Sequence, residues 1–257
     1  MDCPLPAGSK YGNMLPSVYD RLLNEELPRH KARRDAEKAA RRALHGIAEA
    51  YFPIKRYKRA LALLESGDTT PGALLGLHAS TLERRDVFGA FAAAMRALWP
   101  DAQTVLDIAC GLNPIALGAA GYIVIGMDIH MGCVEVVNRC ALRFGLPIQA
   151  HAADILDAPL WPPADIALLL KLLPLLERQR PGASSALLAG VPSRRMVVSF
   201  PSKTMSGQGV GMSGHYRAML DGMLPDDILI KDILDTKTET LYFLERSLSI
   251  AEGDGGR

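Results

Sequence analysis

The sequence predicts an α/β fold: a seven-stranded, mostly parallel sheet with helices on both faces, preceded by an all-helical N-terminal domain. Three observations predict it. Residues 14–98 carry apolar side chains at helical spacing almost throughout. From residue 103 the pattern changes to short apolar runs alternating with helical ones, the order that builds a parallel sheet. The first such run, Val105–Ala109, ends in Cys110-Gly111, and Pro114 follows where the first turn of a helix would stand. Strand, glycine turn and helix form the opening unit of a Rossmann-like domain, which binds its ligand at the carboxyl ends of the strands.

Each element has a local reason. Leu15, Val18, Leu22 and Leu23 form one helical stripe. Ala36, Ala39, Ala40, Ala43, Leu44 and Ile47 form a second, with basic residues opposite. Lys55–Glu65 is a third helix, ended by Gly67. Ser80 caps the next, with Glu83 completing a capping box, and that helix runs to Trp99 before Pro100. Strands are expected at 104–109, 122–127, 147–151, 165–170, 195–200, 227–234 and 240–245. Helices are expected at 114–120, 131–145, 173–190 and 213–221. Asp235-Thr-Lys-Thr-Glu239 turns the last two strands into a hairpin. The tail from Ala251 is acidic, glycine-rich and expected to be disordered.

The ligand end of the sheet narrows the chemistry. There is one glycine in the first turn, not GxGxxG, and no GxxxxGK[ST] loop, so a phosphate cradle is not expected. Asp128, at the tip of the second strand, is placed to accept from ribose hydroxyls. Gly111 lets the backbone approach a ligand closely. Asp154 follows the third strand, and Arg84 can reach back as a partner for a carboxylate. Taken singly these are a helix cap, a tight turn, a turn aspartate and a surface helix residue. Acids and a glycine at three consecutive strand ends favour a nucleoside without phosphates, and S-adenosylmethionine (SAM) is the candidate cofactor. A seven-stranded sheet closed by a hairpin is also the usual architecture of a SAM-dependent methyltransferase.

Composition bounds the setting. A chain of 257 residues is long enough for one domain with an appendage. No run of 18 apolar residues exists, so no membrane span is expected. The N-terminus carries Pro4 and Pro6 and no apolar signal core, so secretion is not expected either. Cys3, Cys110, Cys133 and Cys140 lack zinc spacing; they read as reduced thiols of a cytoplasmic protein, with no metal site. Cys110 reads as a small packing residue, since no partner base stands near it.

The net charge of +1 conceals an asymmetry. Residues 21–60 hold twelve Lys/Arg against five Asp/Glu, a charge of +7, while the rest of the chain is −6. A basic block on an otherwise acidic chain is either a solvated helix face or a phosphate-backbone contact. Its density over more than one helix favours nucleic acid, with Arg33, Arg34, Arg41, Arg42, Lys55 and Arg56 as contacts.

The fourth strand ends in Leu170-Lys171 and runs into Leu-Leu-Pro-Leu-Leu-Glu177. The Asp/Asn-Pro-Pro-aromatic tetrad of amino-methylating DNA enzymes is absent, as is a cysteine nucleophile for cytosine C5. The target atom should therefore need little activation. Guanine N7 carries an exposed lone pair and no proton, so alignment and charge environment suffice and no general base is required. Ser199-Phe-Pro-Ser-Lys203 ends the fifth strand and enters a glycine-rich stretch to Met212, read as a mobile loop over the site. In it, Phe200 is suited to stack on a base and Lys203 to meet a phosphate.

Together these pieces closely resemble the 16S rRNA guanine-N7 methyltransferases that act on guanine 1405 in the decoding site and confer aminoglycoside resistance. The resemblance is carried by Ser9-Lys-Tyr11, Leu44-His-Gly46, His78-Ala-Ser-Thr81 with Glu83-Arg84, Asp107-Ile-Ala-Cys-Gly-Leu-Asn-Pro114, Asp128-Ile129, Lys171-Leu-Leu-Pro-Leu-Leu-Glu177, Ser199-Phe-Pro201 and Gly211-Met212. It spans nearly the whole chain; DIACGLNP and KLLPLLE are its specific parts. It implies a helical region, 1–77, that docks on the 30S subunit, a SAM-binding region, 78–250, that receives a flipped guanine, and a tail, 251–257. It implies that Arg84 binds the SAM carboxylate, Gly111 the methionine moiety, Asp128 the ribose and Asp154 the adenine, within a set completed by His78, Ser80, Ala109, Ile129, Ile155 and Lys171. Lys171, Ser199, Phe200 and Pro201 would border the target base, and Lys10, Lys203, Gln208 and Met212 would join the RNA contacts. Gln208 stands where related enzymes often carry arginine, which leaves open which residue steadies the flipped nucleotide. A cytoplasmic monomer is expected, with no membrane partner. The competing readings are methylation of another rRNA position, such as adenine N1, methylation of a small molecule, and an RNA-binding module that only keeps the fold.

Overall fold

The computed structural model describes residues 11–157, 160–202 and 212–247. The helical half contains α1 (Pro16–Glu26), α2 (Arg33–Leu44), α3 (Ile54–Ser66), α4 (Pro71–Leu75), α5 (Ala79–Arg84) and α6 (Phe88–Leu98). The sheet half follows as β1 (Thr104–Ile108), α7 (Asn113–Ala119), β2 (Ile123–Asp128), α8 (Met131–Phe144), β3 (Ile148–Ala152) and β4 (Ile166–Leu170). It continues through α9 (Leu173–Gln179), α10 (Ala183–Gly190), β5 (Arg195–Pro201), α11 (Met212–Asp221), β6 (Ile228–Asp235) and β7 (Glu239–Arg246).

The strands form one sheet in the order β3-β2-β1-β4-β5-β7-β6. β1 to β5 pair in parallel, and β7 lies antiparallel between β5 and β6. The chain winds outward in both directions from the β1/β4 pair, so the crevice for a ligand opens at the carboxyl ends of these two strands. Both are buried in their centres, and their sequences, Thr-Val-Leu-Asp-Ile and Ile-Ala-Leu-Leu-Leu, are the near-continuous apolar runs that a sheet covered on both faces demands.

The expected seven strands and closing hairpin are present. Two expected helices are each broken in two. The helix expected from Ser80 to Trp99 is α5 and α6, and the residue before α5 is His78, so Ser80 lies inside the first turn instead of capping it. Glu83 pairs with Lys171 Nζ at 2.6 Å instead of closing a capping box. The helix expected at 173–190 stops at Gln179 and restarts at Ala183, because Pro181 cannot continue it and Gly182 adopts φ +81°. The carboxylate of Glu177 bridges that break by accepting from the N–H groups of Gly182 and Ser184 at 2.9 and 2.8 Å.

The helical half is packed onto the sheet half. Phe52, Ala60, Leu64, Leu74 and Leu77 share one apolar cluster with Leu112, Ile115, Val136, Val137 and Cys140 of α7 and α8 and their approaches. At the start of α1, Leu15 N–H donates to Ile129 O at 2.8 Å and Met14 pairs with His130 as an isolated bridge. Side chains of α1 and α2 build their own cluster around Val18, Leu22, Ala36, Ala40 and Leu44, the apolar stripes visible in the sequence. The opposite face of α2 leaves Arg33, Arg34, Lys38 and Arg42 exposed, with Arg41 half-buried; Lys55 and Arg56 are exposed on α3.

Candidate functional site: a cleft at the strand ends

A cleft opens at the carboxyl ends of β1, β2, β3 and β4, with an empty volume of about 840 Å³ including the solvent at its mouth. The two non-glycine residues with positive φ, among those described, stand at its floor: Ala109 (φ +57°) after β1 and Lys171 (φ +55°) after β4. Left-handed backbone at non-glycine residues costs of order 1–3 kcal/mol each and concentrates at functional sites.

Asp128 ends β2 and lines the cleft. Its Oδ2 accepts from Gly111 N–H and its Oδ1 from His130 N–H, both at 2.7 Å. Burial raises the Asp128 pKa, opposed by these two N–H groups. The contacts fix the carboxylate while each oxygen keeps a further acceptor site toward the cleft. His130 is similarly fixed: Nδ1 accepts from Cys133 N–H at 3.2 Å, so Nε2–H donates to Phe52 O at 3.0 Å.

His78, Ser80, Ala109, Ile129, Asp154, Ile155 and Lys171 also line the cleft, as the sequence suggested. His78 is buried: burial first, then the charges of His130 and Arg84, push its pKa down to about 3, so the ring is neutral. Its Nδ1 has no hydrogen-bond partner among the described residues. The ring presses on Gly111, where φ is +52° and an added Cβ would fall 2.7 Å from His78 Cε1. Gly111 thus serves ring packing as well as the turn, and it does not itself line the cleft.

Arg84 does not line the cleft either. It is buried with its guanidinium fork on Glu239, Nε to Oε1 at 2.6 Å and Nη2 to Oε2 at 3.0 Å. Its Nη1 donates to Asn113 Oδ1 at 3.4 Å, and Asn113 Nδ2 donates to Asp107 Oδ2 at 2.8 Å. Burial pushes Asp107 up to about 7. On the other side, Ser199 Oγ donates to Glu239 Oε2 at 2.6 Å, and Lys171 N–H donates to Ser199 Oγ at 3.1 Å. A continuous polar chain, Asp107–Asn113–Arg84–Glu239–Ser199, therefore runs beneath the cleft and ends at the left-handed residue Lys171. Arg84 and Ser199 were legible as site residues; Glu239 was not, since it reads as the edge of a hairpin.

Phe200 is a correction. It is 1% exposed and stacks on Tyr216 with ring centroids 4.9 Å apart, inside the cluster against α11. The free base-stacking ring expected from the sequence is instead part of the core, because strand alternation sends Ser199 and Phe200 to opposite faces. An aromatic wall of the cleft is supplied by Tyr51, stacked on His78 at 6.2 Å with planes 16° apart. Tyr51 and Arg21 belong to the helical half and Gln179 ends α9; no motif marked any of the three as lining the cleft. Pro201, half-buried at the end of β5, borders another hollow with Tyr216 and Tyr242. Cys110 is buried, and burial pushes its thiol far up, in keeping with a packing residue. Lys10, Lys203 and Gln208, the 203–211 part of the expected loop and the expected tail lie outside the described residues, as does the Met212 side chain.

Against known proteins, a family model described as ribosomal RNA methyltransferase (FmrO) matches residues 7–229. The chain is 39% identical over 243 residues to a 16S rRNA (guanine(1405)-N(7))-methyltransferase of Serratia marcescens, covering 94% of this chain and 95% of that one. A protein of the same description from Frankia casuarinae is 30% identical over 254 residues, covering 92% and 89%. Among solved structures, the 16S rRNA methyltransferase RmtF in complex with S-adenosyl-L-homocysteine superposes with a TM-score of 0.87 at 41% identity, over 93% of this chain and 94% of that one. The 16S rRNA methylase RmtB superposes with a TM-score of 0.83 at 37% identity, over 94% and 95%.

Proposed function

Because the chain belongs to the FmrO family of ribosomal RNA methyltransferases, we propose that it transfers a methyl group from SAM to N7 of guanine 1405 in 16S rRNA of the 30S subunit. The observation that carries this reading is the cleft at the β1/β4 switch point, with Asp128 and Asp154 on its wall, in a chain matched nearly end to end by guanine-1405 N7 methyltransferases.

The residues present fit SAM. Asp128 keeps acceptor sites for the ribose hydroxyls, and Asp154 one for the adenine amino group. Ile129 and Ile155 give the base apolar contact. His78 brings an unpartnered Nδ1 to the wall, and Arg84, behind it, supplies the positive charge that a cofactor carboxylate needs. Glu239 pairs with that guanidinium through both carboxylate oxygens. SAM supplies a sulfonium methyl as the electrophile.

The protein's own task is then alignment. Guanine N7 has no proton to lose, and the neutral ring of His78 removes none. Lys171, fixed by Ser199 and Glu83, and Tyr51 bound the space in which the base is held against the methyl donor. Such positioning accounts for a large part of a methyl-transfer barrier. N7 lies in the deep, narrow major groove of A-form RNA, so the base must leave its stack at a cost of a few kcal/mol. Basic contacts from residues 1–77, centred on Arg33, Arg34, Arg41, Arg42, Lys55 and Arg56, offset that cost through the phosphate backbone. Methylation removes the N7 acceptor and leaves a fixed positive charge there, which opposes polycationic aminoglycosides at the same spot. The reading places the protein in the cytoplasm, acting as a monomer; no helix of the described residues is long and apolar enough to cross a membrane.

The test is methyl transfer from labelled SAM to purified 30S subunits, with the modified base mapped by cleavage at 7-methylguanine. One modified guanine at position 1405 is expected, and cells expressing the protein should resist aminoglycosides. A label at another nucleotide, or only on a small molecule, would overturn the reading.

A further inference from the structure

Arg21 joins the N-terminal helix to the far end of the cleft. Its side chain is 15% exposed, and its Nε donates to Asp154 Oδ2 at 2.8 Å. Its Nη2 donates to Gln179 Oε1 at 3.3 Å, and Nη1 to Glu25 Oε1 at 3.4 Å. One guanidinium thus ties α1 to the loop after β3 and to the end of α9. The same helix is pinned to the end of β2 through the Leu15–Ile129 hydrogen bond and the Met14–His130 bridge. Four of these partners, Ile129, His130, Asp154 and Gln179, line the cleft, and so does Arg21.

We propose that Arg21 is a positioning residue of the cofactor site, acting through Asp154. The inference rests on the reading that Asp154 accepts from the adenine amino group. A carboxylate on a loop can rotate about its side-chain torsions. Asp154 is held at Oδ1 by Leu156 N–H at 3.0 Å and at Oδ2 by Arg21. With both donors the carboxylate plane is fixed, and each oxygen retains an acceptor site for the ligand. Without Arg21 only the contact within its own loop remains, and the rim between α1 and that loop opens to water. An acceptor that is already oriented loses less entropy when the ligand binds. The region that carries the basic block therefore also completes the cofactor cleft.

The test is S-adenosylhomocysteine binding by calorimetry on the full chain, as wild type, R21M, R21K, D154A and R21M/D154A, together with methyl-transfer kinetics. R21M is expected to weaken binding about tenfold, the effect of losing a charge-assisted hydrogen bond. R21K should recover part of it, since an ammonium meets Asp154 without the planar fork that also reaches Gln179. The KM for SAM should rise while kcat at saturating SAM stays within about twofold, and the double variant should bind no worse than D154A. Wild-type affinity in R21M with weakened binding in D154A would overturn the proposal and leave the adenine reading standing. Wild-type affinity in D154A would overturn the adenine reading itself, and the proposal with it. A fall in kcat alone, or additive losses in the double variant, would reduce Arg21 to a structural role. If R21M does not fold, R21K against wild type decides, and equal affinity there overturns the proposal.

Discussion

His78 and Asp107 both feel the charge of Arg84, and burial pushes their titrations in opposite senses. His78 falls from 6.5 to about 3. As pH drops below 6.5 the unfolded chain gains a proton that the folded one refuses, so stability is lost down to about pH 3. Asp107 rises from 3.8 to about 7. There the folded state keeps the proton, and stability is lost as pH rises from 3.8 to about 7. Each slope is about 1.4 kcal/mol per pH unit, and between pH 3.8 and 6.5 they cancel. Asp107→Asn should expose the histidine slope, read as a steeper loss of denaturant resistance on going from pH 6.5 to 4.5. An unchanged pH profile would contradict this balance. Gly111→Ala meets both a left-handed φ and the His78 ring; cofactor binding should fall by tenfold or more, about 1.4 kcal/mol or above, and wild-type affinity would refute the packing argument. Cys110→Ala should keep substantial methyl transfer; loss of activity with cofactor still bound would revive a nucleophilic role. At this scale the sequence revealed acids and glycines at strand ends, because those types are restricted there by hydrogen bonding and backbone freedom. It could not reveal Tyr51, Arg21 or Glu239, whose roles depend on which remote element each side chain meets.

Among elements, β7 is more than the closing half of a hairpin. Glu239 at its first position is wholly buried and carries the Arg84 fork and the Ser199 hydroxyl together. Arg84 holds its carboxyl below the usual range against the opposing effect of burial. Glu239→Ala would leave the guanidinium buried and unpaired, and a loss of about 3–5 kcal/mol is expected, measured as denaturant unfolding of the cofactor-free protein. A loss below about 1 kcal/mol would show that Arg84 finds another partner or water. Periodicity exposed all seven strands and most helices, since buried strands and amphipathic helices leave unambiguous repeats. It joined α5 to α6 and α9 to α10; α9 and α10 both bury leucines, so the apolar repeat runs through that break. Pro181-Gly182 was the visible mark of the second break. The first has no such mark: Arg85, Asp86 and Val87 are compatible with helix, yet α5 ends at Arg84, which is buried on Glu239.

For the whole molecule, the exposed arginines of α2 stand apart from the cleft, while Arg21 of the same basic block lines it. Arg33→Glu with Arg34→Glu should weaken 30S binding and flatten its salt dependence, while S-adenosylhomocysteine affinity stays at the wild-type value. Unchanged 30S affinity would remove α2 from the docking surface. The basic block was plain in the sequence, because net charge needs no fold to be counted. That α1 also walls the cleft was not, since the Arg21–Asp154 contact spans 133 positions. The contact also bears on inhibitor selectivity. Many enzymes bind SAM on a sheet of this kind, so analogues of the cofactor tend to inhibit them together. On the reading that Asp154 accepts from the adenine, that end of the cleft is edged by a guanidinium that comes from outside the sheet. An analogue bearing a carboxylate on the purine edge nearest α1 would gain a paired charge here, and repulsion from the bare aspartate wherever that arginine is lacking.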